Sequence, residues 1–208
     1  MGDAPSGSSG GEAGSTVPDA AGDSQGMPLS EIAARAMANR LEPGGWVVVA
    51  AEPVPLGEGA GECHPEGWHD GATDRFRVGF QASGIGEAEV RTTAYEAEAQ
   101  ARADLERARS AEHQECVRQA ASAYAEAPVD VQVLPADPTV PGVTYRSTSD
   151  GPHGHLVQDD TYIVVGRVRA YVSYCTCRAM DEATRHTVAQ QIAIGMAKAQ
   201  GLPDPGSR

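Results

Sequence analysis

The sequence predicts an α+β domain: an antiparallel sheet with a long Ala-rich helix and a C-terminal helix packed on it, tied by disulfides. Three observations carry this reading. "DRFRVGFQA" at 74–82 alternates apolar and polar residues, the pattern of a strand with one buried face. Residues 94–126 hold no Gly or Pro and are rich in Ala, Glu, Gln and Arg, the composition of a helix. Residues 161–177, "TYIVVGRVRAYVSYCTC", carry a strand signal that ends in two cysteines one residue apart.

Taken in chain order, residues 1–26 are Gly, Ser, Ala, Pro and acid, too poor in apolar area to offset their ordering entropy, and read as a disordered tether. Residues 27–203 read as one domain and 204–208 as a disordered tail. "PLSEIAARAMANRL" places Leu29, Ile32, Ala36, Met37 and Leu41 near helical spacing, and Pro43-Gly44 stops it. "GWVVVAAEP" reads as a buried strand ended by Pro53. Residues 53–73 form a Gly/Pro-rich loop carrying Cys63, His64, Trp68 and His69. "DRFRVGFQA" puts Phe76, Val78 and Phe80 on one face, and "EAEVRTTAY" follows as its partner after a turn at Gly84-Ile85-Gly86. An unbroken helix over 94–126 would be about 50 Å long, near the upper end for a domain of this size, so a break near Ser110 is expected. Cys116, Ala120, Ala123 and Ala127 form its apolar stripe. "VDVQVL" and "VTYRST" are short strands, and "SDGPHGHLVQDD" reads as a loop.

The stretch 161–177 is too long for a single strand, at over roughly 50 Å. Gly166-Arg167 makes it a hairpin with a two-residue type II′ turn. Val165 then pairs with Val168, Ile163 with Ala170 and Thr161 with Val172 on one face. Val164 with Arg169 and Tyr162 with Tyr171 form the other, which also carries Ser173, Cys175 and Cys177. "MDEATRHTVAQQIAIGMAKAQG" is a helix with Asp181 near its start, a stripe of Val188, Ile192 and Met196, and Gly201-Leu202-Pro203 as the stop.

Four cysteines allow three pairings. A Cys63–Cys116 bridge would close a loop of about fifty residues, worth roughly 4 kcal/mol in the chain-entropy model. Cys175 and Cys177 on one extended strand sit at or beyond the Cα separation a relaxed disulfide tolerates. They pair with each other only if the chain bends there; otherwise they cross-pair with Cys63 and Cys116. Zinc held by Cys63, His64, Cys175 and Cys177 and free redox thiols are the competing readings, and the C-x-C spacing is not the usual paired zinc pattern.

Charge narrows the function. With a formal net charge of −13, a pI near 4.8 and Lys198 as the single lysine, no basic surface for a phosphate backbone is expected. No run of eighteen apolar residues exists, so no helical membrane span is expected in this chain. An anchor, if one is used, belongs to a segment preceding residue 1. No P-loop, dinucleotide fingerprint or nucleophile elbow occurs. His153 and His155 beside Asp150, Asp159 and Asp160 are the residues a metal-assisted hydrolase would use.

The order of these elements resembles a family: the extracellular sensor domain of mycobacterial receptor serine/threonine kinases and related actinobacterial lipoproteins. The stretches that carry the resemblance are "LEPGGWVVV", Cys63, "FRVGF" with "AEVRTTAYEAEAQA", Cys116, "YIVVGRVRAYVSY" and "VAQQIAIGMA", spanning residues 27–203. The resemblance implies a cleft between helices and an antiparallel sheet, two disulfides, and no catalytic residues or cofactor. It also implies a second bridge from a cysteine before the hairpin to one near its end, but no cysteine stands between Cys116 and the hairpin in this chain. The expected function is therefore an extracytoplasmic ligand-binding or sensor-type domain, without catalysis or metal. Its partner is a small molecule or a cell-envelope component, and its expected ligand residues are Tyr162, Arg169 and Tyr171. An arginine between two tyrosines suits an anionic or sugar-like ligand. The alternatives are a structural or protein-interaction lipoprotein domain and the metal-assisted hydrolase.

Overall fold

The computed structural model describes residues 26–41, 47–56, 63, 70–82, 86–152, 154–176 and 179–206. The expected tether, the turn at Gly84-Ile85, His64, Trp68, His69, His153 and Cys177 lie outside the described residues.

Among the described residues seven strands form one antiparallel sheet in the order β1-β2-β3-β7-β6-β5-β4. The strands are β1 Val47–Pro53, β2 Ala72–Ala82, β3 Gly86–Tyr95, β4 Asp130–Leu134, β5 Gly142–Gly151, β6 Gly154–Val165 and β7 Val168–Thr176. The helices are α1 Leu29–Leu41, α2 Glu98–Ala108, α3 Ala111–Ala125 and α4 Glu182–Ala199. Helices α1 and α4 cover one face of the sheet; α2 and α3 lie on the other.

The β6–β7 hairpin has the expected register at every pair named above, from Val165↔Val168 to Thr161↔Val172. Gly166 has φ 55°, whereas Arg167 is not in the left-handed region. That combination selects the type II′ turn, which needs a positive φ only at its first central residue. Gln200, at the end of α4, fastens this turn. Its Nε2 donates to the Val165 carbonyl at 2.8 Å and its Oε1 accepts from the Arg167 N–H at 2.9 Å.

The Ala-rich segment is two helices, broken where expected. Ser110 is the N-cap of α3, its side chain accepting from the His113 N–H at 3.1 Å. The capping hydroxyl competes with a continuing helix and starts a new one. The buried positions of α3 are His113, Val117 and Ala125; of the expected stripe, Cys116 and Ala120 are half-buried and Ala123 is exposed. The helix is rotated so that a histidine faces the sheet.

Two expectations need correction. "VVVAAEP" is not a buried strand but the edge strand β1, paired among the described residues with β2 alone, and Val47 and Val49 are 65% and 61% exposed. The apolar run misled because, among the described residues, no helix packs closely on β1. Residues 154–160 are not loop but the first half of β6, since β5 and β6 pair out to Gly151↔Gly154. Gly154 takes φ 100° at the tip, where the sequence shows only a Gly-rich stretch.

One core lies between α1, α4 and the sheet, built from Ala33, Met37, Phe76, Phe80, Val90, Val172, Ile192 and Met196 among others. A Cβ on Gly195 would stand 3.1–3.2 Å from Met37 Cγ and the Ala36 backbone, so the glycine sets the close approach of α1 and α4. A second cluster on the opposite face holds Tyr95, Leu105, Val117, Tyr145, Tyr162 and Cys63, with Cys116 and Tyr171 partly buried against it. No pair of cysteines among the described residues stands at bonding distance.

Candidate functional site

Strand pairing builds the face under α2 and α3 rung by rung. Arg75 lies opposite Thr93, which lies opposite Arg169, which lies opposite Val164. The next rung is Arg77, Arg91, Tyr171 and Tyr162. The third is Gly79, Glu89, Ser173 and Asp160. The alternation that points Phe76, Val78 and Phe80 into the first core turns the arginines and carboxylates to this side.

α3 does not lie flat on this face. A cavity of about 700 Å³ remains between its Val117, Ala120 and Ala121 and the sheet floor. The floor includes all three residues expected from the sequence, Tyr162, Arg169 and Tyr171, together with Arg75, Arg91, Glu89, Gln158, Asp160 and Ser173; Cys63 closes one side. A space of this size, largely apolar on one wall with a few polar groups on the other, has the character of a small-molecule site.

The polar groups are held in place. Asp104 of α2 is fully buried and accepts from Arg107 at 2.6 Å, from Arg169 at 3.3 Å and from the Tyr95 hydroxyl. Burial pushes the Tyr95 hydroxyl upward, keeping it a neutral donor. Arg169 is 3% exposed, so this carboxylate offsets a guanidinium at the floor of the cavity. Asp160 accepts from the Tyr171 hydroxyl at 2.8 Å and from Gln158 Nε2 at 3.0 and 3.1 Å. Burial raises the Asp160 carboxyl above its ordinary value, partly opposed by these donors. Burial likewise drives Tyr162 and Tyr171 well above the usual phenol range. The Tyr162 and Tyr171 rings lie 5.1 Å apart, and Arg91 sits over Tyr171 with its guanidinium carbon 5.8 Å from the ring centre. His113 packs edge-on against Tyr162 at 5.2 Å, and burial with the nearby Arg169 lowers it to about 4.

Sequence reasoning missed Arg75, Arg91, Glu89 and Asp160. The signal for the first was present: "DRFRVGF" must turn Arg75 and Arg77 to the face opposite Phe76. Asp160 was read with the loop histidines. It stands instead in mid-strand facing the cavity, while Asp159 faces the other way and binds Arg146 through both carboxylate oxygens, at 2.7 and 2.6 Å. His155 pairs with Asp150 at 2.9 Å on the exposed tip, five residues from Asp160 and on the opposite side of β6. Among the described residues no group of three or more His, Cys, Asp or Glu is placed to hold a metal ion, and no helix is long and apolar enough to cross a membrane.

No protein-family profile and no curated protein matches the chain. Among solved structures it is similar to an uncharacterised protein of Mycobacterium smegmatis, the Rv0999 ortholog, with a TM-score of 0.44 and 10% identity over 83% of this chain and 97% of that one. It is also similar to the extracellular domain of PknH from Mycobacterium tuberculosis, with a TM-score of 0.51 and 13% identity over 84% of this chain and 98% of that one. The sensor-domain resemblance carried by the order of elements is thus matched by a solved structure, and the chain shares its fold with that extracellular domain.

Proposed function

We propose that residues 27–203 form a ligand-binding, sensor-type domain that works outside the cytoplasm, without catalytic activity, presented on residues 1–26 as a tether. The observation that carries this reading is the cavity between α3 and the sheet, with its inward polar groups held by Asp104 and Asp160. The fold likeness to an extracellular domain supports the location. Cys63 and Cys116 join the same core cluster, which favours a Cys63–Cys116 bridge in the oxidised protein, with Cys175 and Cys177 also oxidised. Tyr162, Arg169 and Tyr171 are the ligand residues.

Ligand-observed NMR with a mixture of small polar and aromatic compounds tests the binding reading, comparing wild type with Ala120→Trp, whose indole projects into the cavity from the α3 wall and obstructs it. Binding seen in wild type and lost in Ala120→Trp is the expected result; identical behaviour of the two proteins, or no binding to either, sinks it. Non-reducing peptide mapping with alkylation of free thiols tests the location: a Cys63–Cys116 peptide is expected, and four alkylated cysteines would place the protein in a reducing compartment.

A second reading rests on a different observation. Among the described residues β1 pairs with β2 alone, and Val47 and Val49 on it are exposed; an open strand edge with exposed apolar side chains suits strand addition by a protein partner.

A further inference from the structure

The floor of the cavity gathers positive charge in a chain that is otherwise strongly acidic. Arg75 and Arg169 flank Thr93 on one rung, and Arg91 stands on the next rung diagonal to both. All three line the same cavity. The formal charge of the chain is −13, so this patch is a local inversion and not a sample of the surface. Carboxylates are present, but they are committed. Asp104 also takes Arg107, Glu89 takes both Arg91 and Arg77, and Asp160 is surrounded by the donors Tyr171 and Gln158. Like charges held together on a partly buried floor repel. Arg75 bears the mark of it: burial, then Arg169, then Arg91 lower it below the ordinary arginine value. A bound anion would relieve that repulsion, and the planar forks of three guanidinium groups fit the oxygens of a carboxylate, sulfonate or phosphate.

The opposite wall is different in kind. Val117, Ala120, Ala121 and Ala123 of α3 offer a sugar's hydroxyls no side-chain partner, and the one hydroxyl that α3 brings to the wall, that of Tyr124, belongs to a side chain 76% exposed. These small side chains and the Tyr171 ring suit an apolar or aromatic body. The net charge repels anions at long range, so selection here acts by contact and not by steering.

Resting on the ligand-binding reading of this cleft, we infer that it takes an organic anion. The anionic group sits on the Arg75–Arg91–Arg169 patch, and an apolar or aromatic body lies between Tyr171 and the α3 wall.

A matched pair of fluorescent probes tests this: 1-anilinonaphthalene-8-sulfonate, and N-phenyl-1-naphthylamine, which is the same skeleton without the sulfonate. Fluorescence titrations are run on the whole chain, with near-ultraviolet circular dichroism to confirm native packing in each variant. The sulfonate is expected to bind at least about tenfold tighter than the neutral probe. Arg75→Gln should weaken the sulfonate by about tenfold and leave the neutral probe unchanged. Glu89→Gln, which releases Arg91 from its carboxylate, should tighten the sulfonate alone, and it stays informative should Arg75→Gln fail to fold. Ala120→Trp should abolish both. Equal affinity of the two probes, or equal loss of both in Arg75→Gln, overturns the anion inference and leaves cleft binding standing. Absence of binding by either probe, or binding that survives Ala120→Trp, overturns the inference and the ligand-binding reading together.

Discussion

On the side covered by α1 and α4, strands β2, β3, β7 and β6 present Phe76, Phe80, Val90, Val172 and Ile163. On the reverse side the same four strands present Arg75, Arg91, Arg169, Tyr171 and Asp160. Each strand thus serves two environments with one alternation. The apolar side is closed by helices packed to the backbone, as at Gly195 against Ala36. The polar side is held by hydrogen bonds and ion pairs, and its helix α3 stands off enough to leave a cavity. A face that is filled specifies the fold; a face that is satisfied but not filled leaves room for a ligand.

The comparison breaks most readily at Asp104. Asp104→Ala leaves Arg169 buried with its carboxylate removed, and should cost about 3–5 kcal/mol, read as a lower urea midpoint. Asp104→Leu combined with Arg169→Met should recover most of that, because the pair is then replaced by apolar groups of similar size. A single-variant cost below about 1 kcal/mol would mean that water solvates Arg169, and the polar face would then be an open surface. On the other face, Ile192→Ala removes a fully buried side chain and should cost about 2–5 kcal/mol. No second substitution except a refilled cavity should restore it.

Acid sharpens the contrast, because the polar face holds both a buried histidine lowered by burial and a buried carboxyl raised by it. His113 is lowered from 6.5 to about 4 by burial and then by Arg169. A base whose folded value is depressed stays neutral in the folded state while the unfolded chain takes up a proton. Its contribution is therefore complete above pH 6.5 and is lost as pH falls towards about 4, by about 3 kcal/mol at most. Asp160 acts with the opposite sign: its raised value means that protonation relieves the folded state as pH falls. The difference between wild type and His113→Phe isolates the histidine. Stability curves of the two proteins should converge between pH 6.5 and about 4; parallel curves would show that His113 is hydrated and ionises freely.

How much of this was legible follows from the same two faces. The hairpin register was, because Ile163, Val165, Val168 and Ala170 can share a face only in one pairing, and a slip of one residue would bury Arg169 among them. The two tyrosines and the arginine were legible as neighbours on the hairpin's polar face for the same reason. The rest was hidden by neighbours that are distant in sequence. Nothing in "VVVAAEP" says that it will be an edge strand, since that depends on what stands beyond it. Nothing in "RTTAY" says that Arg91 will stand diagonal to Arg169, which requires β3 to pair with β7 across the whole of α2, α3, β4, β5 and β6. Asp104 looks like an ordinary surface acid on an Ala-rich helix. Only the docking of α2 over Tyr95 and Arg169 turns it into the counter-charge of the site.

The smallest expected effect falls on the hinge that makes the two faces unequal. Ser110 stands between α2 and α3 and starts α3, accepting from the His113 N–H. Ser110→Ala removes that acceptor and should cost about 1 kcal/mol. The loss should be local as well as small. α3 buries His113, Val117 and Ala125, whereas α4 buries seven residues, Arg185, Ala189, Ile192, Ala193, Gly195, Met196 and Ala197. Amide exchange should therefore quicken in the first turn of α3, near Glu112 to Gln114, and remain slow in α4. If α3 and α4 lose protection together, the helix over the cavity unfolds only with the whole domain. Opening of α3 would then not be an independent route into the cleft.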